Sequence, residues 1–334
     1  MTYPTAVTTF TAVTDGVDYP TAAQWNPVYT DLTAVETLLG VNGGSWISEG
    51  QMLNGKLSVT VATNDLTVAL KTIAGTDPST TNPVYVRING TVRKCTAALS
   101  KTLVDGTNYF NAGSAELATK EVDYFAYLIW NTTPATDIVD LGFARKPHYT
   151  VYSEVSATAT SENYLATSNA SAPTSTDDMV NIGRFAATLS AGASYTWTVP
   201  TFTTTNLIQR PCFETRWLSY APTIAGYSSV PTNTVYIYKV IGNNLLVQLR
   251  EAANGVSSNA THTYTSPFTV ATRTNMVWFS TLPSVIDNNT QEAAGVIYIS
   301  SASATFNVAR SALAAWTASG NCRIVGTSNL LVEI

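Results

Sequence analysis

Apolar and polar positions alternate with a period of two along most of this chain. LSVTV at Leu57–Val61, LTVALKTI at Leu66–Ile73 and VYVRI at Val84–Ile88 each place β-branched residues on one face, which predicts half-buried strands. Asn89-Gly90 then leads into TVRKCTAAL, a short hairpin signal. DYFAYLIW at Asp123–Trp130 is apolar at nearly every position and predicts a strand inside its sheet. VNIGRFAATL at Val180–Leu189 and YTWTV at Tyr195–Val199 resume the alternation, while the Thr/Ser/Asn/Ala-rich stretch at 157–178 reads as a loop. TVYIYKVI at Thr234–Ile241 and LLVQLREA at Leu245–Ala252 flank Gly242-Asn243-Asn244 and predict a second hairpin. Later strands are expected at Met276–Leu282, Gly295–Ser300, Ala304–Ala309, Asn321–Gly326 and Asn329–Ile334, with SALAAW at Ser311–Trp316 as a possible helical turn.

One segment has a different period. Between Asp15 and Gly40, Trp25, Val28, Leu32, Val35 and Leu39 recur at spacings of three and four, the stripe of an amphipathic helix. Thr21 with Gln24, at capping-box spacing, and Asn26-Pro27 suit its start equally well, and Gly40 its stop. A helix this short is marginal alone, so its stripe calls for a partner: its own β region, or the same helix of neighbouring copies. The pattern predicts a mainly β chain. A short N-terminal helix precedes two antiparallel β-sandwich, jelly-roll-like domains. The expected divisions are an arm and oligomerisation helix at 1–50, a middle sandwich at 51–210 and a C-terminal sandwich at 211–334.

Composition narrows the function classes. Charged residues are 12% of the 334, about half the usual quarter. Thr, Ser and Asn therefore solvate much of the surface, which tolerates burial at subunit contacts. The net charge of −5 and the absence of any basic run beyond residue pairs argue against nucleic acid. No apolar run reaches the roughly 18 residues of a membrane span. The first residues, MTYPTAVTTF, have neither the basic nor the apolar region of an export signal. Cys95, Cys212 and Cys322 are too few and too scattered for a disulfide framework or a metal motif.

Candidate chemistry is thin. His148 and His262 each stand without a Cys, Asp or Glu at ligand spacing, and read as surface or packing residues. Glycan hydrolysis needs only two carboxylates, for which Asp177, Asp178, Glu154, Glu162 and Glu214 are available. No short rung repeat of a glycan-cleaving β-helix accompanies them. No catalytic residue, metal or cofactor is assigned, and the chain is not expected to be an enzyme. The aromatics say more, because exposed Tyr and Trp rings are flat apolar platforms for sugars. Tyr220, Tyr227 and Trp316 lie near turn residues and are the candidates for such a rim.

The segment DGVDYPTAAQWNPVYTDLTAVETLLG resembles the N-terminal part of tailed-bacteriophage fibre proteins. LTVALKTIAGTDPSTTNPVYVRI and GRFAATLSAGASYTWTVPTF are similar to the middle region of phage virion proteins. WLSYAP at Trp217–Pro222, YKVIGNNLLVQLR at Tyr238–Arg250, STLP at Ser280–Pro283 and the closing LLVEI resemble a β-sandwich module at fibre ends. The last strand departs from that pattern, which would place an aromatic before the final acidic residue. The resemblance implies a homotrimer in the virion, assembled in the host cytoplasm. Its arm would hold other virion proteins, and its distal domain would bind the host surface, with a glycan as a candidate ligand. A head fibre or capsid decoration protein is the alternative, and a glycan depolymerase a further one.

Overall fold

The computed structural model describes residues 47–104, 119–134, 138–148, 155–156, 165–168, 171, 173–188, 197–198, 213–274, 276–292, 294–325 and 328–334. The stripe of Trp25, Val28, Leu32, Val35 and Leu39 lies outside them, and so does the helix predicted around it.

The described chain is mainly β, in several antiparallel sheets. The first half holds β1 (Met52–Leu53), β2 (Gly55–Ala62), β3 (Asp65–Thr72), β4 (Val84–Ile88), β5 (Thr91–Cys95), β6 (Leu99–Leu103), β7 (Glu121–Asn131), β8 (Ile138–Ala144), β9 (Val155–Ser156), β10 (Leu165–Thr167) and β11 (Asp178–Thr188). They form sheets of order β1-β4-β5, β2-β3-β6 and β11-β7-β8-β10-β9. The second half holds β12 (Leu218–Ser219), β13 (Ile224–Ala225), β14 (Tyr227–Ser229), β15 (Thr234–Ile241), β16 (Asn244–Glu251), β17 (Gly255–Ser257) and β18 (His262–Thr265). It continues with β19 (Val277–Leu282), β20 (Ser284–Asp287), β21 (Thr290–Glu292), β22 (Gly295–Ser300), β23 (Thr305–Arg310), β24 (Asn321–Val325) and β25 (Ser328–Glu333). Its sheets run β12-β15-β16-β25, β13-β18-β23-β22-β19 and β14-β17-β24-β20-β21.

Local chemistry explains the hairpins. Asn89 (φ 47°) and Gly90 (φ 72°) both adopt the left-handed conformation that a tight two-residue turn needs between β4 and β5. Gly242 (φ 58°) opens the corresponding turn between β15 and β16, which pair without a break from Thr234↔Glu251 to Ile241↔Asn244. The run of β7 is apolar because the strand is interior, flanked by β11 and β8, and eight consecutive residues from Val122 to Ile129 are buried. Two expectations change. Residues 165–167 of the expected loop are strand β10, because Ala166 and Thr167 pair with Phe143 and Gly142. The helical turn expected at Ser311–Trp316 is a 3-10 turn of three residues, Ser311–Leu313.

One apolar cluster runs through both halves, from Met52 to Ile334. The other face of β7 is buried in a small second cluster of Phe125, Tyr127, Ile129 and Ala144. The halves also share polar contacts. The Asp123 carboxylate, fully buried, accepts bonds from the Arg216 backbone N–H at 3.0 Å and its Nη2 at 2.7 Å, and Arg184 lies 3.4 Å away. The Arg145 guanidinium, 2% exposed, sits 4.3 Å over the Phe268 ring and donates to the Pro267 carbonyl at 3.0 Å.

Candidate binding surface

The three aromatics expected at a rim build the core instead. Tyr220 is 3% exposed and its ring meets Tyr238 edge-on at 5.8 Å. Trp316 is 4% exposed, stacks on His262 at 4.3 Å and donates its indole N–H to the Val308 carbonyl. Tyr227 is half-buried, stacked on the opposite side of His262 at 3.9 Å, with its hydroxyl 2.7 Å from that of Tyr264. Turn residues nearby do not keep these rings outside; they fold them inward. Gly226 (φ +93°) turns the chain so closely that an added Cβ would lie 2.2 Å from the Thr261 carbonyl. That approach sets Tyr227 on His262. The backbone N–H of Trp316 bonds the Ala260 carbonyl and draws its loop over the same imidazole.

The fold gives His262 neighbours that its sequence position hides. Its Nε2 lies 3.1 Å from the Ser257 hydroxyl and 3.9 Å from the Cys322 sulfur, sixty residues along the chain. Burial pushes this imidazole down to about 4, against a raising influence from Asp287, and pushes the Cys322 thiol up to about 12. As placed, the imidazole is neutral and the sulfur a protonated thiol. The neighbouring Glu251 accepts from the Tyr264 hydroxyl at 2.6 Å and the Ile324 backbone N–H at 2.8 Å. Burial raises its pKa, opposed by those hydrogen bonds. This is a polar seam inside an aromatic core, in which the buried Nδ1 of His262 has no hydrogen-bond partner among the described residues.

Of the carboxylates weighed for glycan chemistry, Asp177 and Glu214 are engaged elsewhere. Asp177 accepts from Thr132 and Thr174 and braces their loops. Glu214 pairs with Lys239 at 2.8 Å, and that hydrogen bond holds its carboxyl below the usual range. Glu154 and Glu162 lie outside the described residues. Among the described residues no three His, Cys, Asp or Glu gather to hold a metal ion. No helix among them is long and apolar enough to cross a membrane. In the first half a cleft of about 460 Å³ is lined by Cys95, Leu99, Trp130, Val139 and Ser168. The Arg93 guanidinium caps the Trp130 ring there at 3.9 Å.

The outward face of the sheet β12-β15-β16-β25 is the more unusual surface. A solvated antiparallel sheet alternates apolar-in and polar-out. Here the inward set, including Tyr236, Tyr238, Leu245, Val247 and Leu330, is buried as expected. The outward set mixes the two kinds: Val235 (43% exposed), Ile237, Ile241 (40%), Leu246 and Leu331 (53%) share the ladder with Lys239, Asn244, Gln248, Arg250, Asn329 and Glu333. Trp217, 42% exposed, continues the face beyond β12. Strand β19 runs beside β25 and adds Phe279, exposed at 72%. The alternation was legible in the sequence, and the outward set of β15, Val-Ile-Lys-Ile, is apolar at three of four positions against Tyr-Tyr-Val inward. No protein-family model, curated protein or solved structure matches this chain.

Proposed function

We propose that this chain is a structural protein of a tailed-bacteriophage virion, a trimeric tail fibre whose C-terminal β region makes the host-surface contact. The observation that carries the reading is the group of large apolar side chains exposed on one side of the second half, Trp217, Val235, Ile241, Leu331 and Phe279, on a chain with 12% charged residues. Large apolar side chains gathered on one exposed side support a contact with other chains. The two halves would each be a β-sandwich of jelly-roll type, joined through the Asp123–Arg216 seam. The stripe of Trp25, Val28, Leu32, Val35 and Leu39 would set the register of the three chains, and the arm before it would bind other virion proteins. Assembly would take place in the host cytoplasm. Receptor contact would fall on outward positions of residues 211–334 rather than on Tyr220 or Trp316.

Immunogold labelling of intact virions with antibody against the purified chain tests the position. Label along tail fibres is the expected result. Label at capsid vertices would overturn the tail assignment in favour of a head fibre or decoration protein. Virions without label would overturn both.

A further inference from the structure

This outward sheet face has a direction that selects its occupant. Strand pairing aligns Lys239, Leu246 and Leu331 in one cross-strand row, and continuing the Leu218↔Tyr238 ladder by one residue adds Trp217 at its far end. The next outward row runs Glu214, Ile241, Asn244, Glu333. Each row thus ends at two different edges. One edge presents Trp217 and Glu214, whose side chain is 57% exposed. The other presents Leu331, the adjacent Phe279, and Arg273, 53% exposed and bonded through Nε to Glu333 at 2.9 Å. Apolar ends lie at one height and ionic ends at another, with an acid foremost on one edge and a base foremost on the other.

We infer that copies of this chain meet head to tail, the Trp217 edge of one sheet against the Leu331 edge of the next, around an axis parallel to the strands. Rotation about such an axis keeps every residue at its own height. It therefore brings Trp217 to Leu331 and Phe279, and Glu214 to Arg273. The ionic row becomes an alternating series, Lys239–Glu214 of one copy followed by Arg273–Glu333 of the next. Heterologous contacts of this kind close into rings. A shallow depression of about 400 Å³ between Phe213–Glu214 and Ile241–Asn244 leaves room at the first edge for a neighbour's side chain. The inference rests on the trimeric reading and assigns it a contact.

Cysteine cross-linking of the full chain decides it. In a Cys212→Ser background, with Cys95 and Cys322 buried, the variants are Trp217→Cys, Leu331→Cys and the two combined. Within one chain these positions are three strands apart, about 14 Å, beyond disulfide reach. The expected result is a covalent trimer from the combined variant after mild oxidation, and no cross-link from either single variant. Cross-linking by a single variant would mean a like-to-like contact and overturn the inference. Light scattering separates the failures. A trimer in solution whose combined variant does not cross-link removes this contact and leaves the trimer, whereas a monomer removes both. A charge test needs no cysteine: Glu214→Arg should raise the concentration for half-dissociation at least tenfold, and adding Arg273→Glu should restore it. Unchanged assembly in the single charge variant would also overturn the inference.

Discussion

Strands β7 and β16 are both interior to their sheets, yet their surroundings differ. β7 is buried on both faces: Tyr124, Ala126 and Leu128 enter the main core, and Phe125, Tyr127 and Ile129 the small second cluster. β16 buries only one face, with Leu245, Val247, Leu249 and Glu251 inward and Asn244, Leu246, Gln248 and Arg250 outward. The first half has no spare apolar sheet face of this extent among its described residues. Its strongest ionic contact, at Asp123, is directed to the second half of the same chain. The second half completes its own core and still exposes Trp217, Val235, Ile241 and Leu331 on this sheet. The sequence pattern marks β7, the more hydrophobic strand, as interior to its sheet, and so it is. The lesson is that the apolar residue without an internal partner, not the apolar run, marks the surface available to another chain.

The largest expected effect comes from acid, which challenges both halves at once. Each holds a histidine that burial keeps neutral. His148 is lowered to about 3, with Lys146 adding to the effect, and His262 to about 4. Between the unfolded value near 6.5 and these folded values, the unfolded chain binds protons that the folded chain refuses. Stability is therefore full above pH 6.5 and is lost as pH falls toward 4 and then 3. Each histidine contributes a loss on the order of 3–5 kcal/mol at most. Glu251 acts oppositely: its raised folded pKa adds stability as pH falls through that value, offsetting part of the loss. Urea melts from pH 7 to pH 3 on the wild type, His148→Phe and His262→Phe measure this. The expected outcome is a shallower acid slope in each variant. If His262→Phe alone flattens it, the halves differ in protonation as well as in surface, and the contrast sharpens.

Next in size is the seam. Asp123→Ala removes the acceptor shared by Arg216 and Arg184 and leaves Arg184, its side chain 16% exposed, without that charge. Breaking a buried ion pair of this kind costs about 3 kcal/mol. Denaturation followed by fluorescence and by circular dichroism should show the midpoint move together in both signals. The continuous core from Met52 to Ile334 favours that single transition. Two separated transitions would show that the ionic seam, rather than the core, couples the halves, and the comparison would become one between independent domains.

Much of the fold was legible because it depends on local periodicity. The spans of β4, β15 and β22 coincide with VYVRI, TVYIYKVI and GVIYIS as read from the sequence. Strand β8 was missed because Asp140 and Gly142 interrupt its alternation. Asp140 is nonetheless buried, its oxygens taken by the Leu141 backbone N–H, the Ser168 hydroxyl and Asn131. Such a carboxylate looks like a loop residue until its partners, up to 28 positions away, are in place. The binding surface was less legible for a related reason. Proximity to a turn says where the backbone is, while exposure of Tyr220, Tyr227 or Trp316 depends on distant strands. Trp217, just before β12 and next to inward Leu218, gave no local sign of facing out.

The smallest effect is the most telling for the second half. Leu331→Thr shortens an apolar side chain that is 53% exposed on β25, whose outward neighbour across the ladder is Leu246. Threonine suits a strand, so the ladder with β16 should survive. Surface substitutions away from caps, cavities and buried charges stay within about 0.5 kcal/mol, and the stability of a single chain should move no more than that. Dilution separates the two possible roles of the residue. If Leu331 serves contact between copies, the melting temperature of the variant falls below wild type at concentrations where the wild type is assembled, and the two converge once both are dissociated. A deficit of 2 kcal/mol or more that persists at every concentration would place Leu331 in the chain's own core. The free face of β16 would then be no freer than that of β7.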